Sequence, residues 1–120
     1  MDEHISPAVA RAAERRCAGI EVTPLRQWET GHWLSAPDDL ILDEARKQGL
    51  TFVTYDLRTI PPLLRAWAEQ GLGHGGVILV DNHTIPQNDI GALARALCEV
   101  WRLERNLDWA DRIIFLRATK

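Results

Sequence analysis

Apolar residues along this chain recur at two spacings, one typical of amphipathic helices and one typical of buried strands. Four segments place them three and four residues apart, after residues that favour helix N-termini. These helices are predicted to begin at Ser6-Pro7, at a capping box formed by Ser35-Ala36-Pro37-Asp38, at Thr59 with Pro61-Pro62, and at Asn88. Residues 20–23, 51–54, 77–80 and 112–116 are short runs rich in β-branched or other apolar residues, and they predict four strands.

Helices and strands alternate along the chain, helix first. This alternation predicts an α/β fold in which right-handed crossovers build a parallel sheet with helices on both faces. Such a fold normally opens with a strand, and here only Met1 precedes Asp2. We therefore expect the chain to begin at the last residue of a central strand, so that the first strand is nearly absent and the N-terminal arrangement is unusual. Residues 1–120 are expected to form a single domain.

Composition narrows the classes of function. The chain has 14 Lys and Arg against 17 Asp and Glu, which excludes a polycation that coats nucleic acid or anionic lipid but allows a local basic patch. No apolar run approaches the roughly 20 residues of a membrane helix, and the N-terminus does not resemble a signal peptide, so a cytoplasmic protein without membrane contact is expected. Cys17 and Cys98 lack the spacing of a zinc site or a disulfide scaffold.

Acidic residues are predicted to meet at one edge of the sheet. Asp2, Asp56 and Asp81 each follow a predicted strand, and Asp38 lies in the first turn of the second helix. In open α/β sheets, ligands bind beyond the carboxyl ends of the strands. Clustered carboxylates repel one another unless a cation neutralises them, and Mg²⁺ or Mn²⁺ prefers oxygen ligands. Such an ion can activate water for phosphodiester hydrolysis.

The same acids also have purely structural interpretations. A carboxylate at Asp38 favours a helix N-terminus on electrostatic grounds alone. Asp81, in the sequence Asp-Asn-His, is also typical of an ordinary turn. Both interpretations stay open at the level of sequence.

Four short motifs recur in a fixed order. They are DEHISP at residues 2–7, PDDLILDEA at 37–45, VTYD at 53–56 and GVILV at 76–80. Together they resemble a family of short bacterial PIN-like proteins, and the resemblance covers nearly the whole chain. It implies a three-layer PIN-like fold and a metal-dependent ribonuclease, similar to the toxin components of toxin–antitoxin pairs.

The resemblance also implies a set of site residues and partners. Asp2, Asp38 and Asp56 match the three acids that hold the catalytic Mg²⁺ or Mn²⁺ in the family. Many relatives carry a further acid two residues after the third, where this chain has Arg58, and Asp81 is our candidate for the missing ligand. The implied partners are an RNA substrate and an antitoxin-like protein, and a homodimer is a further expectation.

Four arginines are candidates for contacts with RNA phosphates. Arg11 and Arg15 lie four residues apart on the first predicted helix, and Arg58 and Arg65 follow the third acid. An ordinary solvated helix face explains the first pair equally well.

Two alternative functions remain. The substitution at Arg58 allows a catalytically degenerate PIN-like module that acts by binding a protein. A phosphoacceptor receiver domain also carries acids after its first and third strands, which Asp2-Glu3 and Asp56 would supply. That class needs a hydroxyl residue at the end of the fourth strand and a lysine after the fifth, where this chain has Val80-Asp81 and Leu116-Arg117. The receiver domain is therefore the less favoured alternative.

Overall fold

The computed structural model describes residues 1, 5–25, 28–31 and 36–118. Over these residues the chain forms four α-helices, one short 3₁₀ helix and three strands. The helices are α1 (Pro7–Arg16), α2 (Asp38–Gln48), α3 (Ile60–Glu69) and α4 (Ile90–Glu104), the 3₁₀ helix is Trp28–Gly31, and the strands are β1 (Phe52–Thr54), β2 (Val77–Leu79) and β3 (Ile113–Phe115). Within these described ranges, no helix is long and apolar enough to cross a membrane.

The three strands form one parallel sheet in the order β1-β2-β3. Thr54 of β1 pairs with Leu79 of β2, and Leu79 pairs with Phe115 of β3. Because all three strands run in one direction, their carboxyl ends share one edge of the sheet, which we call the carboxyl edge. The opposite edge is the amino edge. The predicted parallel α/β sheet is confirmed for these three strands.

Helices cover both faces of the sheet. Val53 and Ile78 point to one face, where they join a buried cluster that includes residues of α1 and α4. Phe52, Val77 and Leu79 point to the other face and join a cluster built from α2 and α3. Successive side chains of a strand alternate between faces, so two buried faces require the continuous apolar runs that predicted these strands.

The prediction of a strand at residues 20–23 was wrong, since these residues are not part of the sheet. The backbone of Thr23 and of Leu25 forms hydrogen bonds with Met1 instead. The ammonium group of Met1 donates to the carbonyl oxygen of Thr23 at 3.0 Å, and the N–H of Leu25 donates to the carbonyl oxygen of Met1 at 2.9 Å. These two bonds have the pattern of a parallel β bridge.

Two helix starts also differ from the predictions. The second helix does not begin at a capping box, because Pro37 is its N-cap and no side chain caps it, while Ser35 lies outside the described residues. A residue before proline avoids the helical conformation, so Ala36 cannot extend the helix. The cap of α4 is Asp89 rather than Asn88, and its Oδ1 accepts from the N–H of Ala92 at 3.1 Å.

The turn that leads into β2 is fixed by His74. The Nδ1 of His74 accepts from the N–H of Gly76 at 3.1 Å, and the backbone N–H of His74 donates to the Oδ1 of Asp111 at 3.0 Å. Gly76 has a φ of 106°, and a Cβ there would lie 2.8 Å from the carbonyl oxygen of Trp109, so this position requires glycine. Burial lowers the pKa of His74, and the nearby charge of Asp111 opposes this effect only partly.

Because the folded protein holds His74 below its ordinary pKa of about 6.5, the unfolded chain binds its proton first as the pH falls. The contribution of His74 to the free energy of unfolding is therefore complete above about pH 6.5 and declines as the pH falls through the folded-state pKa. We expect His74→Asn, which keeps an acceptor but does not titrate, to weaken this decline. Urea denaturation of both proteins at about pH 7.5 and 5 measures the difference, and identical declines would contradict the assignment.

Candidate functional site

Two acidic residues follow neighbouring strands at the carboxyl edge. Asp56 lies two residues beyond Thr54, the last residue of β1, and Asp81 lies two residues beyond Leu79, the last residue of β2. Thr54 and Leu79 are paired, and the pairing continues because the N–H of Val80 donates to the carbonyl oxygen of Thr54 at 2.9 Å. The parallel register therefore gives Asp56 and Asp81 equivalent positions on adjacent strands.

Asp56 organises the turn between β1 and α3. Its Oδ1 accepts from the N–H of Arg58 at 3.0 Å and from the N–H of Thr59 at 2.9 Å. Its own N–H donates to the Oγ1 of the buried Thr54 at 2.9 Å. No hydrogen bond or ion pair within the described residues uses its Oδ2, so this half-buried carboxylate keeps one oxygen for a ligand.

Asp81 has a similar local role at the end of β2. Its Oδ1 accepts from the N–H of His83 at 2.9 Å, the pattern of an Asx turn. Its carbonyl oxygen accepts from the N–H groups of Thr84 and Ile85. In the part of the chain that the structure describes, no lysine or arginine forms an ion pair with Asp81 or Asp56.

Tyr55 connects these two turns. It follows β1 directly, is buried, and its hydroxyl donates to the carbonyl oxygen of Ile85 at 2.7 Å. Burial, together with the charge of Asp89, raises the pKa of Tyr55 to about 12, so the hydroxyl stays a donor across the physiological range. The segment that carries Asp81 is thereby tied to the segment that carries Asp56.

Of the two remaining predicted acids, the structure describes one. Asp38 is the first residue of α2 and is half-buried, while Asp2 lies outside the described residues. Among the residues that the structure does describe, no three His, Cys, Asp or Glu side chains form a group that could hold a metal ion. Asp38, Asp56 and Asp81 therefore do not make a three-acid site by themselves, and a site with three protein ligands needs a residue outside the described ranges, for which Asp2 is the predicted candidate.

The donor atoms at this edge nevertheless suit magnesium. Mg²⁺ in proteins is commonly held by only one or two carboxylates, with water and substrate phosphates as its other ligands. Asp56 and Asp81 supply two carboxylates on adjacent strand ends, each fixed by backbone N–H groups. The pair fits such an ion better than it fits a structural zinc site, which would use cysteine or histidine.

The four predicted arginines do not form one surface. All are exposed, but Arg11 and Arg15 lie on α1 and Arg65 lies on α3, on the opposite face of the sheet. Arg58 lies in the turn after β1, where its N–H binds Asp56. Of the four, Arg58 is therefore the one beside the acidic pair.

The structure adds Arg117 to the carboxyl edge. Phe115 pairs with Leu79, and the N–H of Leu116 donates to the carbonyl oxygen of Leu79 at 2.8 Å. Arg117 thus lies two residues beyond the end of β3, as Asp81 does beyond β2. Sequence reasoning used Arg117 only to argue against a receiver domain. The signal it missed is the equal spacing of a charged residue two positions after each of three strands.

Comparison with known proteins finds no matching family model, no matching curated protein and no matching solved structure. The PIN-like resemblance therefore depends on its four short motifs and stays a prediction.

The turn role of Asp56 gives a testable prediction. We expect Asp56→Ala to lower the free energy of unfolding by about 1 kcal/mol, because two N–H groups ahead of α3 lose their acceptor. Asp56→Asn keeps an acceptor oxygen and should cost less than about 0.5 kcal/mol. Urea denaturation measures both values. Equal losses in the two variants would contradict the turn role.

Proposed function

We propose that this protein is a Mg²⁺- or Mn²⁺-dependent phosphodiesterase that hydrolyses RNA. The observation that supports it is the pairing of β1 with β2, which gives Asp56 and Asp81 equivalent positions at the carboxyl edge. Neither carboxylate forms an ion pair with a lysine or arginine among the described residues, and such carboxylates attract a hard divalent ion. Metal-dependent hydrolysis is thus the chemistry that this edge favours.

Each residue of the edge has a role in the proposal. Asp56 and Asp81 would hold the ion, and Asp2 would supply a third protein ligand. Asp38 forms no three-acid group with Asp56 and Asp81, so its part as a ligand comes from the PIN-like resemblance alone. When bound, a divalent ion lowers the pKa of a coordinated water and stabilises charge on a phosphate. The hydrogen bonds from Arg58 and Thr59 to Asp56 keep that carboxylate in one orientation.

The arginines at the carboxyl edge would hold the substrate. Arg58 follows Asp56 closely, and Arg117 occupies the equivalent position beside Asp81. A guanidinium binds phosphate oxygens through two parallel hydrogen bonds, which orients a phosphodiester as well as attracting it. Arg11, Arg15 and Arg65 lie farther along their helices. In the proposal they contact RNA only outside the carboxyl edge.

The choice of RNA as substrate comes from the PIN-like resemblance and not from the geometry. An antitoxin-like protein partner is likewise implied by the resemblance, while a homodimer and a cytoplasmic location are further expectations. They remain predictions of the sequence.

A non-catalytic binding module is the second candidate. The observation in its favour is that Asp56 and Asp81 already have structural roles as acceptors in turns, which need no metal. Arg58 also stands where many PIN-like proteins carry another acid. Metal binding separates the two candidates, because only the enzyme requires it.

Calorimetric titration with Mn²⁺ tests the metal site. We expect wild type to bind, and Asp56→Asn and Asp81→Asn to weaken binding by at least about tenfold, or about 1.4 kcal/mol. Asp108→Asn is the matched control, because the Oδ1 of Asp108 accepts from the N–H of Ala110 at 2.9 Å in the same kind of turn, but ahead of β3. It should bind Mn²⁺ as wild type does.

The same four proteins are then assayed on single-stranded RNA with Mn²⁺. Cleavage by wild type and by Asp108→Asn, lost in the other two variants, would support the enzyme. Absence of Mn²⁺ binding by wild type would favour the binding module. Equal affinity of wild type and Asp56→Asn would place the metal elsewhere and so contradict the proposed site.

A further inference from the structure

The outer edge of β3 has no neighbouring strand among the described residues, because β3 pairs with β2 on its other side only. The carbonyl oxygen of Arg112 accepts from β2 at 2.9 Å, and the N–H of Leu116 donates to β2 at 2.8 Å. Alternate residues of a strand direct their backbone groups to opposite sides, so those of Ile113 and Phe115 face outward. Within the described part of the chain, these outward groups make no hydrogen bond.

The side chains of Ile113 and Phe115 are exposed on a face where their neighbours are buried. They pair in register with Val77 and Leu79 of β2 and therefore lie on the face that α2 and α3 cover. Val77 and Leu79 are 0% and 2% exposed, whereas Ile113 and Phe115 are 48% and 61% exposed. The helices of this face thus cover β2 and leave two large apolar side chains uncovered on β3.

This edge also lacks the side chains by which proteins usually protect an edge strand. Such strands commonly carry lysine, proline or an inward-pointing charge. β3 has the sequence Ile-Ile-Phe, and its charged neighbours Asp111, Arg112 and Arg117 all lie outside it. An apolar edge with outward backbone groups favours pairing with another strand.

Antiparallel pairing of β3 with itself satisfies these backbone groups in one register. Outward-facing residues of two antiparallel strands form hydrogen-bonded pairs, so Ile113 of one copy lies opposite Phe115 of a second copy, and the reverse. Ile114 then lies opposite Ile114 of the second copy, beside a two-fold axis. Each Ile113–Phe115 pair also brings a β-branched and an aromatic side chain together on one face, which stabilises a sheet.

The charges that flank β3 favour this antiparallel register. Arg117 lies two residues after Phe115 and Asp111 lies two residues before Ile113, so Arg117 of one copy lies opposite Asp111 of the other. Both side chains are exposed, and Arg117 forms no ion pair among the described residues. Parallel pairing would instead set Arg117 beside Arg117 and Asp111 beside Asp111, which is unfavourable.

We propose that the outer edge of β3 pairs antiparallel with the same edge of a second copy of this chain. The pairing joins two three-stranded sheets into one continuous sheet. Because the same surface of both copies is used, the assembly closes as a dimer and does not grow further. The homodimer expected from the sequence thereby gains a defined interface.

The dimer is independent of the proposed phosphodiesterase activity, although Arg117 has a part in both. A guanidinium has five N–H donors, so a contact with Asp111 of the second copy leaves donors for a phosphate.

Sedimentation equilibrium of the full chain between about 10 µM and about 1 mM tests the proposal. We expect wild type to show a monomer–dimer equilibrium. Phe115→Ser should raise the dissociation constant at least about tenfold, because symmetry removes its cross-strand pair twice. Leu40→Ser is the matched control, since Leu40 is also large and 51% exposed but lies on α2. Its dissociation constant should equal that of wild type.

Cysteine cross-linking tests the register. In a chain with Cys17→Ser and Cys98→Ala, Ile114→Cys should form a disulfide-linked dimer with oxidised glutathione, because its two copies have Cα atoms about 4.5 Å apart. Ile113→Cys is the control. Residue 113 lies opposite residue 115 of the second copy, so its own two copies are beyond the roughly 7 Å limit and should give at least about tenfold less linked dimer.

Hydrogen exchange on wild type keeps the test valid if a variant does not fold. The amides of Ile113 and Phe115 should exchange more slowly as the protein concentration rises, while that of Ile114, which faces β2, should not change. A monomer at every concentration, a dimer unaffected by Phe115→Ser, or equal cross-linking at residues 113 and 114 would overturn the proposal.

Discussion

The parallel pairing of β1 with β2 is the interaction on which the rest of the structure depends. Its register sends Phe52 and Val77 to one buried face and Val53 and Ile78 to the other, so both helical layers take their position from it. A shift of one residue would exchange the two faces of a strand. The same register sets Asp56 level with Asp81, so one strand pairing determines both the core and the candidate site.

Local hydrogen bonds then fix the turns that carry the two acids of the candidate site. Asp56 and Asp81 each use Oδ1 to hold a turn, and Tyr55 ties the second turn back to β1 through Ile85. These bonds explain both acids structurally, and they also hold each carboxylate in one orientation. The structural and functional interpretations share these hydrogen bonds and differ in whether a divalent ion binds.

The sequence was informative where structure depends on local pattern. A run of β-branched and aromatic residues predicted β1. A continuous apolar run predicted β2, because a strand buried on both faces does not alternate with polar residues. The sequence failed at residues 20–23, because a strand needs a neighbouring strand to pair with and a local pattern does not encode that neighbour. Arg117 was missed because its place beside Asp81 depends on the register of β3, which no local pattern encodes.

The central claim is that the carboxyl edge gathers carboxylates for a divalent ion, and trace Mn²⁺ in an NMR experiment tests it most directly. A bound paramagnetic ion broadens the signals of nearby amides. The account predicts that substoichiometric Mn²⁺ broadens the backbone amides of Asp56, Asp81 and Arg117 first and leaves that of Asp108, ahead of β3, sharp. Uniform broadening, or broadening that begins at Asp108, would contradict it.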